Sequence, residues 1–309
     1  MTTWFYRFLM ISLIGLGGGP GVVAEESSSE TSKVLKMPIS GTVERGLSAY
    51  VKRVVQKAEQ GGFDAILMPV NTPGGRLDAA LEIKDSLLDS KVPVFAYVNR
   101  QALSAGALIS IAANKIYMVD GAVMGAATPI KGQQGDKASE KVVSAVRTAF
   151  ASTAQARGLR ADVAEAMVDE AIAIKGVVEK GKLLTLSSQQ ALDLEYTKAL
   201  VPGEQELLAA EGLSEAQVVE TQPALAEALV RFLTNPIISS LLMSLGFLGL
   251  IFEIKTAGWG LGGTLSLICL GLFFWGHFLA GLAGWEHVAL VVAGVLLLAL
   301  EVFVIPGFG

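Results

Sequence analysis

The chain has 309 residues and a formal net charge of −5, and its charges are spread unevenly. Of 53 charged side chains, 48 fall between Glu25 and Thr234, and the last 75 residues hold only Glu253, Lys255, Glu286 and Glu301. This excludes a single globular domain and predicts a soluble domain joined to a membrane domain. The lone cysteine, Cys269, excludes an intramolecular disulfide and a cysteine-rich zinc site. No basic stripe is present, so no nucleic-acid partner is expected. Both histidines, His277 and His287, lie in the apolar end. The polar span therefore has neither a Ser-His-Asp or Cys-His nucleophile system nor a His-ligated metal site, and any base in it must be Lys, Asp, Glu or Tyr.

Residues 1–24 carry Arg7, an apolar run from Phe8 to Leu16, a Gly/Pro break and Val22-Val23-Ala24, the pattern of an export signal with its cleavage site. Residues 25–33 read as a polar, disordered lead-in. From Val34 strand and helix alternate: Val34 to Ile39, Ala65 to Val70 and Val92 to Val98 as strands, Gly46 to Gln60 and Leu77 to Ser90 as helices. A helix from Ser104 to Ala113 and short strands at Lys115 to Val119 and Ala122 to Ala127 follow. Next come a polar loop at Gly132 to Asp136 and helices from Lys137 to Arg157 and Ala161 to Ile174. Residues 34–201 form an α/β domain on a parallel sheet in this reading, and residues 202–231 a charged, Ala/Glu-rich connector. Phe232 to Phe252, Thr256 to Trp285 and Val288 to Ile305 each suit the hydrocarbon core, so residues 232–309 are predicted to be an all-α domain of about three transmembrane helices. The chain stops at Pro306-Gly307-Phe308-Gly309 with no polar tail, the pattern expected where the natural protein continues.

Three places could carry chemistry. Asn71-Thr72-Pro73-Gly74-Gly75 follows a strand and precedes a helix, and its two glycines allow N–H groups to point at an oxyanion; an ordinary βα turn has the same look. Ser104-Ala105-Gly106 opens an apolar helix after the next strand, with small neighbours that leave the hydroxyl approachable; an ordinary N-cap would read the same way. Both fall at the carboxyl edge of one sheet, where α/β proteins place ligands. Without histidine, a serine there needs another base. A desolvated lysine serves, because burial disfavours its charged form. Lys131, Lys137 and Lys141 are the candidates, and spacing does not choose among them.

The series Asn71-Thr72-Pro73-Gly74-Gly75, Ser104-Ala105-Gly106 and Met124-Gly125-Ala126-Ala127-Thr128-Pro129 resembles the ClpP-class membrane serine proteases of the NfeD family. Leu245 to Glu253 and Pro306 to Gly309 resemble the transmembrane signatures of that family, and the likeness runs from about Val34 to Gly309. It implies a ClpP/crotonase-like domain in which Ser104 is the nucleophile and the N–H groups of Gly75 and Ala105 hold the oxyanion. It also implies a lysine base at the start of the helix leading to Arg157-Gly158, which selects Lys141, with Lys137 as fallback. Leu103 departs from the small residue that often precedes the serine. Long members carry a small β-barrel after the membrane part, which is not in this chain.

The expectation is a multi-pass cell-membrane serine endopeptidase with an extracytoplasmic protease domain, a Ser-Lys dyad, and no metal or organic cofactor. Its substrates would be apolar segments, met by a site edge of Leu103, Ala105, Ala107, Leu108 and Ile109, its partners stomatin/prohibitin-type membrane proteins, and its state a homo-oligomer. The rivals are a non-catalytic scaffold and a crotonase-type acyl-CoA enzyme, the latter ill suited to an exported compartment.

Overall fold

The computed structural model describes residues 32–131, 135–255 and 260–280, and single positions and short pieces between 286 and 297. The expected export signal, most of the lead-in, and most of the third span at Val288 to Ile305 lie outside the described residues.

Short β-branched runs divided by amphipathic helices give β1 (Lys33–Lys36), β2 (Ile39–Ser40), α1 (Arg45–Gln60), β3 (Ala65–Thr72), α2 (Leu77–Leu88), β4 (Val94–Leu103) and α3 (Ala105–Ile111). Then come β5 (Lys115–Met118), β6 (Val123–Gly125), the hairpin of β7 (Ile130–Lys131) and β8 (Asp136–Lys137), α4 (Glu140–Ala156) and α5 (Ala161–Ala166). β9 (Thr185–Ser187), α6 (Ser188–Asp193), α7 (Glu204–Ala210) and β10 (Gln217–Glu220) complete the domain. The main sheet runs β10-β1-β3-β4-β6-β9, with β2 also on β3 and β5 also on β4. Every pairing in it is parallel except β6 with β9.

β3 is buried along nearly its whole length, as a central parallel strand covered on both faces must be. α1 buries Leu47, Tyr50, Val51, Val54 and Ala58 at helical spacing against that sheet. All seven residues of α3 are buried, which fits a helix that is apolar on nearly every side.

Four expectations change. β4 continues to Leu103 because Gln101, Ala102 and Leu103 pair with β6. α5 stops at Ala166, since the chain must turn there for the Met167 and Val168 carbonyls to accept from the Ala127 N–H and the Thr128 hydroxyl. The 202–231 stretch is no plain connector: it supplies α7, the edge strand β10 paired to β1, and most of α8 (Leu225–Leu233), which packs on α1. Finally, the first apolar span starts later than Phe232. Asn235 Oδ1 accepts from the Ile237 N–H at 3.0 Å, and Pro236 opens α9 (Pro236–Lys255) at the first helical position.

α9 and α10 (Leu261–Leu279) form an antiparallel pair whose backbones meet through small residues. A Cβ at Gly249 would lie 2.6 Å from the Gly262 carbonyl oxygen, and one at Gly246 would strike Leu270. Among the described residues these two helices are long and apolar enough to cross a membrane, and most of their surface faces outward.

Candidate active site

The serine is set by a sharp reversal. β4 ends at Leu103, α3 begins at Ala105, and Ser104 between them adopts φ 52°, ψ −119°. A non-glycine residue at positive φ outside the left-handed well stores about 1–3 kcal/mol of strain. The conformation is held from both sides: the Ser104 N–H donates to the Gly125 carbonyl at 2.8 Å, and its own carbonyl accepts from Ala107 at 3.0 Å. Although Ser104 occupies the N-cap position, its hydroxyl caps nothing and makes no hydrogen bond to a described residue. The ordinary N-cap reading therefore fails here, because a capping serine has extended backbone and a bonded oxygen.

The glycine loop lies against this turn. A Cβ at Gly74 would fall 2.5 Å from Ser104 Cβ and 3.1 Å from its Oγ, so only glycine lets the loop come this close. Gly74 has φ 104°, and a Cβ at Gly75 would meet the Val43 carbonyl oxygen at 2.1 Å. Val43 clamps the loop, its N–H donating to the Gly74 carbonyl at 2.9 Å and its carbonyl accepting from Arg76 at 2.8 Å. The Thr72 hydroxyl completes the frame, donating to the Gly41 carbonyl at 2.6 Å and accepting from the Gly74 N–H at 3.0 Å. The N–H groups of Gly75 and Ala105 take part in none of these bonds. Val43 has no mark in the local sequence that would have singled it out; Thr72 stands inside the Asn71 to Gly75 motif.

On the far side, Gly125 at φ 135° leaves room for the Leu184 carbonyl, which a Cβ would meet at 2.5 Å. Ala126, also at positive φ, donates to that same carbonyl. The Met124 to Pro129 run thus supports the serine turn through the backbone.

The lysines stand differently. Lys137 pairs with Glu170 at 3.0 Å, and this hydrogen bond holds its amine above the ordinary lysine value, the wrong direction for a base. Lys131, on the β7–β8 hairpin, is exposed. Lys141 lies in the first turn of α4, exposed, without a carboxylate partner among the described residues. The buried surroundings expected of a lysine base are not present around it in the single chain. The position of α4 is fixed by its other face, through buried Val143, Val146, Phe150 and Ala154, and by Arg147, which bonds the Asp169 carboxylate. At its far end Arg157 donates to the Ala112 and Leu87 carbonyls at 2.8 Å each, tying α4 to α3 and α2; burial pulls its pKa down.

The expected apolar substrate edge needs correction. Ala107, Leu108 and Ile109 are fully buried and Ala105 nearly so, because α3 is enclosed by the core beneath the serine. Of that group only Leu103, beside Ser104, is partly open. Exposed apolar side chains stand instead at Ile130, on the β7–β8 hairpin, and at Val142, next to Lys141 on α4. Among the described residues no cluster of His, Cys, Asp and Glu is placed to hold a metal ion.

Comparison with known proteins identifies the family and the fold. Residues 33–221 match the NfeD1b N-terminal domain and residues 237–309 the NfeD integral membrane domain. The chain is 39% identical over 299 residues to membrane protein NfeD1b of Bacillus subtilis, covering 96% of this chain and 66% of that protein. It is 30% identical over 278 residues to the membrane-bound protease PH1510 of Pyrococcus horikoshii, covering 83% of this chain and 60% of that one. The chain thus spans less than two thirds of the length of each. Among solved structures, an alanine variant of the 1510-N membrane-bound stomatin-specific protease superposes with a TM-score of 0.55 at 25% identity, over 63% of this chain and 99% of that one. A second variant of it, in complex with a substrate peptide, gives 0.58 at 24% identity over 66% and 99%, a likeness of fold. The soluble domain has the ClpP-like α/β fold, two apolar helices follow it among the described residues, and the chain is a membrane protein of the NfeD family, related to a membrane-bound protease.

Proposed function

We propose that this protein is a membrane-anchored serine endopeptidase. The observation that carries the reading is the Ser104 turn: a strained serine whose hydroxyl caps nothing, pressed against a two-glycine loop. In this reading Lys141 Nζ takes the proton of Ser104 as Oγ attacks a peptide carbonyl carbon. The tetrahedral oxyanion accepts from the Gly75 and Ala105 N–H groups. Collapse breaks the C–N bond, the departing amine takes the proton, and water then hydrolyses the ester and restores the serine.

Lys141 must lose its water to act, and its exposure in the single chain assigns that step to the substrate-bound or self-associated state, in keeping with the homo-oligomer expected of this fold class. Lys137, held charged by Glu170, is the weaker candidate. Substrates are apolar segments of membrane-associated partners, the stomatin/prohibitin type among them, since the related 1510-N protease is stomatin-specific. An export signal at residues 1–24 would put Val34 to Thr234 outside the cytoplasm, with the membrane part multi-pass. The exposure of Lys141 also favours a second reading, a non-catalytic scaffold that binds the same partners.

The full chain in detergent, incubated with a mixed library of apolar and charged peptides, should cut next to apolar residues and pass through an acyl-enzyme on Ser104 visible by intact mass. Cleavage that survives Ser104→Ala, or a preference for charged residues beside the cut, would overturn the reading. Protease accessibility of the soluble domain in intact cells against inverted vesicles tests the topology; a cytoplasmic domain would refute it.

A further inference from the structure

Between the soluble domain and the start of the membrane helices lies a cavity of about 750 Å³ that the peptidase reading does not use. Its lining carries three guanidinium groups, Arg45, Arg76 and Arg231, with the Glu44 carboxylate among them, and the apolar side chains of Phe232, Ile237 and Ile238. The charges do not cancel. Arg45 and Arg76 share the single carboxylate of Asp78, at 3.1 and 2.7 Å. Arg231 faces Glu44 at 3.2 Å and donates to the Ser40 carbonyl at 2.8 Å. Three cations thus stand against two carboxylates, and Arg45 and Arg76 stay more than a third exposed. Guanidinium forks and hydrocarbon in one lining match a phosphodiester with acyl chains attached.

A separate observation puts this cavity at the root of the apolar helix pair. Pro236 opens α9 and Ala280 closes α10, and both line it, so the protease-side ends of the helix pair meet here. α8, immediately before, buries Val230 and Leu233 against the protein. It leaves Leu225, Leu229 and Phe232 exposed at helical spacing, 91, 38 and 56% open. An amphipathic helix that runs into a span and keeps an apolar ridge outward lies in the interfacial layer. We propose that α8 rests in the headgroup layer and that the arginine cavity holds the phosphate of an anionic phospholipid, whose acyl chains run along Phe232, Ile237 and Ile238.

The claim is independent of peptidase activity and is tested by binding. The detergent-purified full chain is titrated with phosphatidylglycerol, phosphatidylcholine or inorganic phosphate, and bound forms are counted by native mass spectrometry. Phosphatidylglycerol should bind best, and Arg45→Gln/Arg76→Gln should weaken it about fivefold for each guanidinium removed. Lys182→Gln, which removes an exposed charge on the loop before β9, should leave it unchanged. Ile237→Ser should also weaken lipid retention. If the double variant does not fold, Arg45→Gln alone carries the same test with half the logarithmic effect. Equal binding of the two lipids, an unchanged double variant, or inorganic phosphate bound as tightly as the lipid would each overturn the assignment.

Discussion

The turn that holds Ser104 and the first turn of α4, which carries Lys141, are built to different standards. The first is over-determined: β4, α3, the Val43 clamp, Thr72 and Gly125 all fix its backbone, and several Cβ positions around it are closed. The second follows a short two-stranded hairpin, with its lysine in solvent. In the proposed mechanism the nucleophile and oxyanion half is complete in one chain, while the base half needs closure. Strain of this size persists only where surrounding structure enforces it, which marks the serine side as the preorganised one.

The sharpest break comes from removing the two halves separately. Ser104→Ala should lower peptidase activity about a thousandfold or more, Lys141→Ala should do nearly the same, and the double variant should lose little further, since groups acting as one unit are strongly non-additive. Activity of the intact enzyme should climb with pH, because only the uncharged amine accepts a proton. A rate flat from about pH 5 to 9 would point to a carboxylate base.

Next in size is Gly75→Ala. The new methyl would sit 2.1 Å from the Val43 carbonyl oxygen. Overpacking of this kind costs about 1–3 kcal/mol, so Tm should fall by several degrees and activity by about a hundredfold as the donor moves. A variant with unchanged Tm and rate would show that the loop is not clamped.

Lys137→Ala should leave activity and Tm essentially as they are, because its partner Glu170 and the lysine are both solvent-facing. Loss of activity there, with Lys141→Ala unaffected, would move the base.

The smallest effect concerns Asp78, in the first turn of α2. Burial raises the Asp78 pKa, but donors from Arg76, the Ala79 N–H and Arg45 outweigh it and hold the carboxyl at about 2 instead of 3.8. A depressed carboxyl contributes stability that is fully present above 3.8 and fades as pH falls through about 2. Asp78→Asn should therefore be less stable than the parent at neutral pH, by below about 1 kcal/mol for so exposed a group, and the gap should close between pH 4 and 2. Chemical denaturation at the two pH values measures it.

The local patterns were legible where one segment decides its own fate. α1 and α2 follow amphipathic spacing, β3 its apolar run, and the motif residues around Gly74 and Ser104 do meet at one sheet edge. What escaped depends on distant partners. The last third of β4 exists because β6 lies beside it, and β10 is an edge strand whose charged flanks hide its pairing with β1. The apolar run after Ser104 was open to two readings by composition, wall or core, and only the enclosure of α3 decides for core.

The central claim is that Ser104 is an activated nucleophile. The most direct measurement is intact-mass analysis of the detergent-solubilised full chain after exposure to a fluorophosphonate. The account predicts one covalent adduct per chain, mapped to Ser104 and lost in Ser104→Ala. An absent adduct, or one that persists in Ser104→Ala, would contradict it.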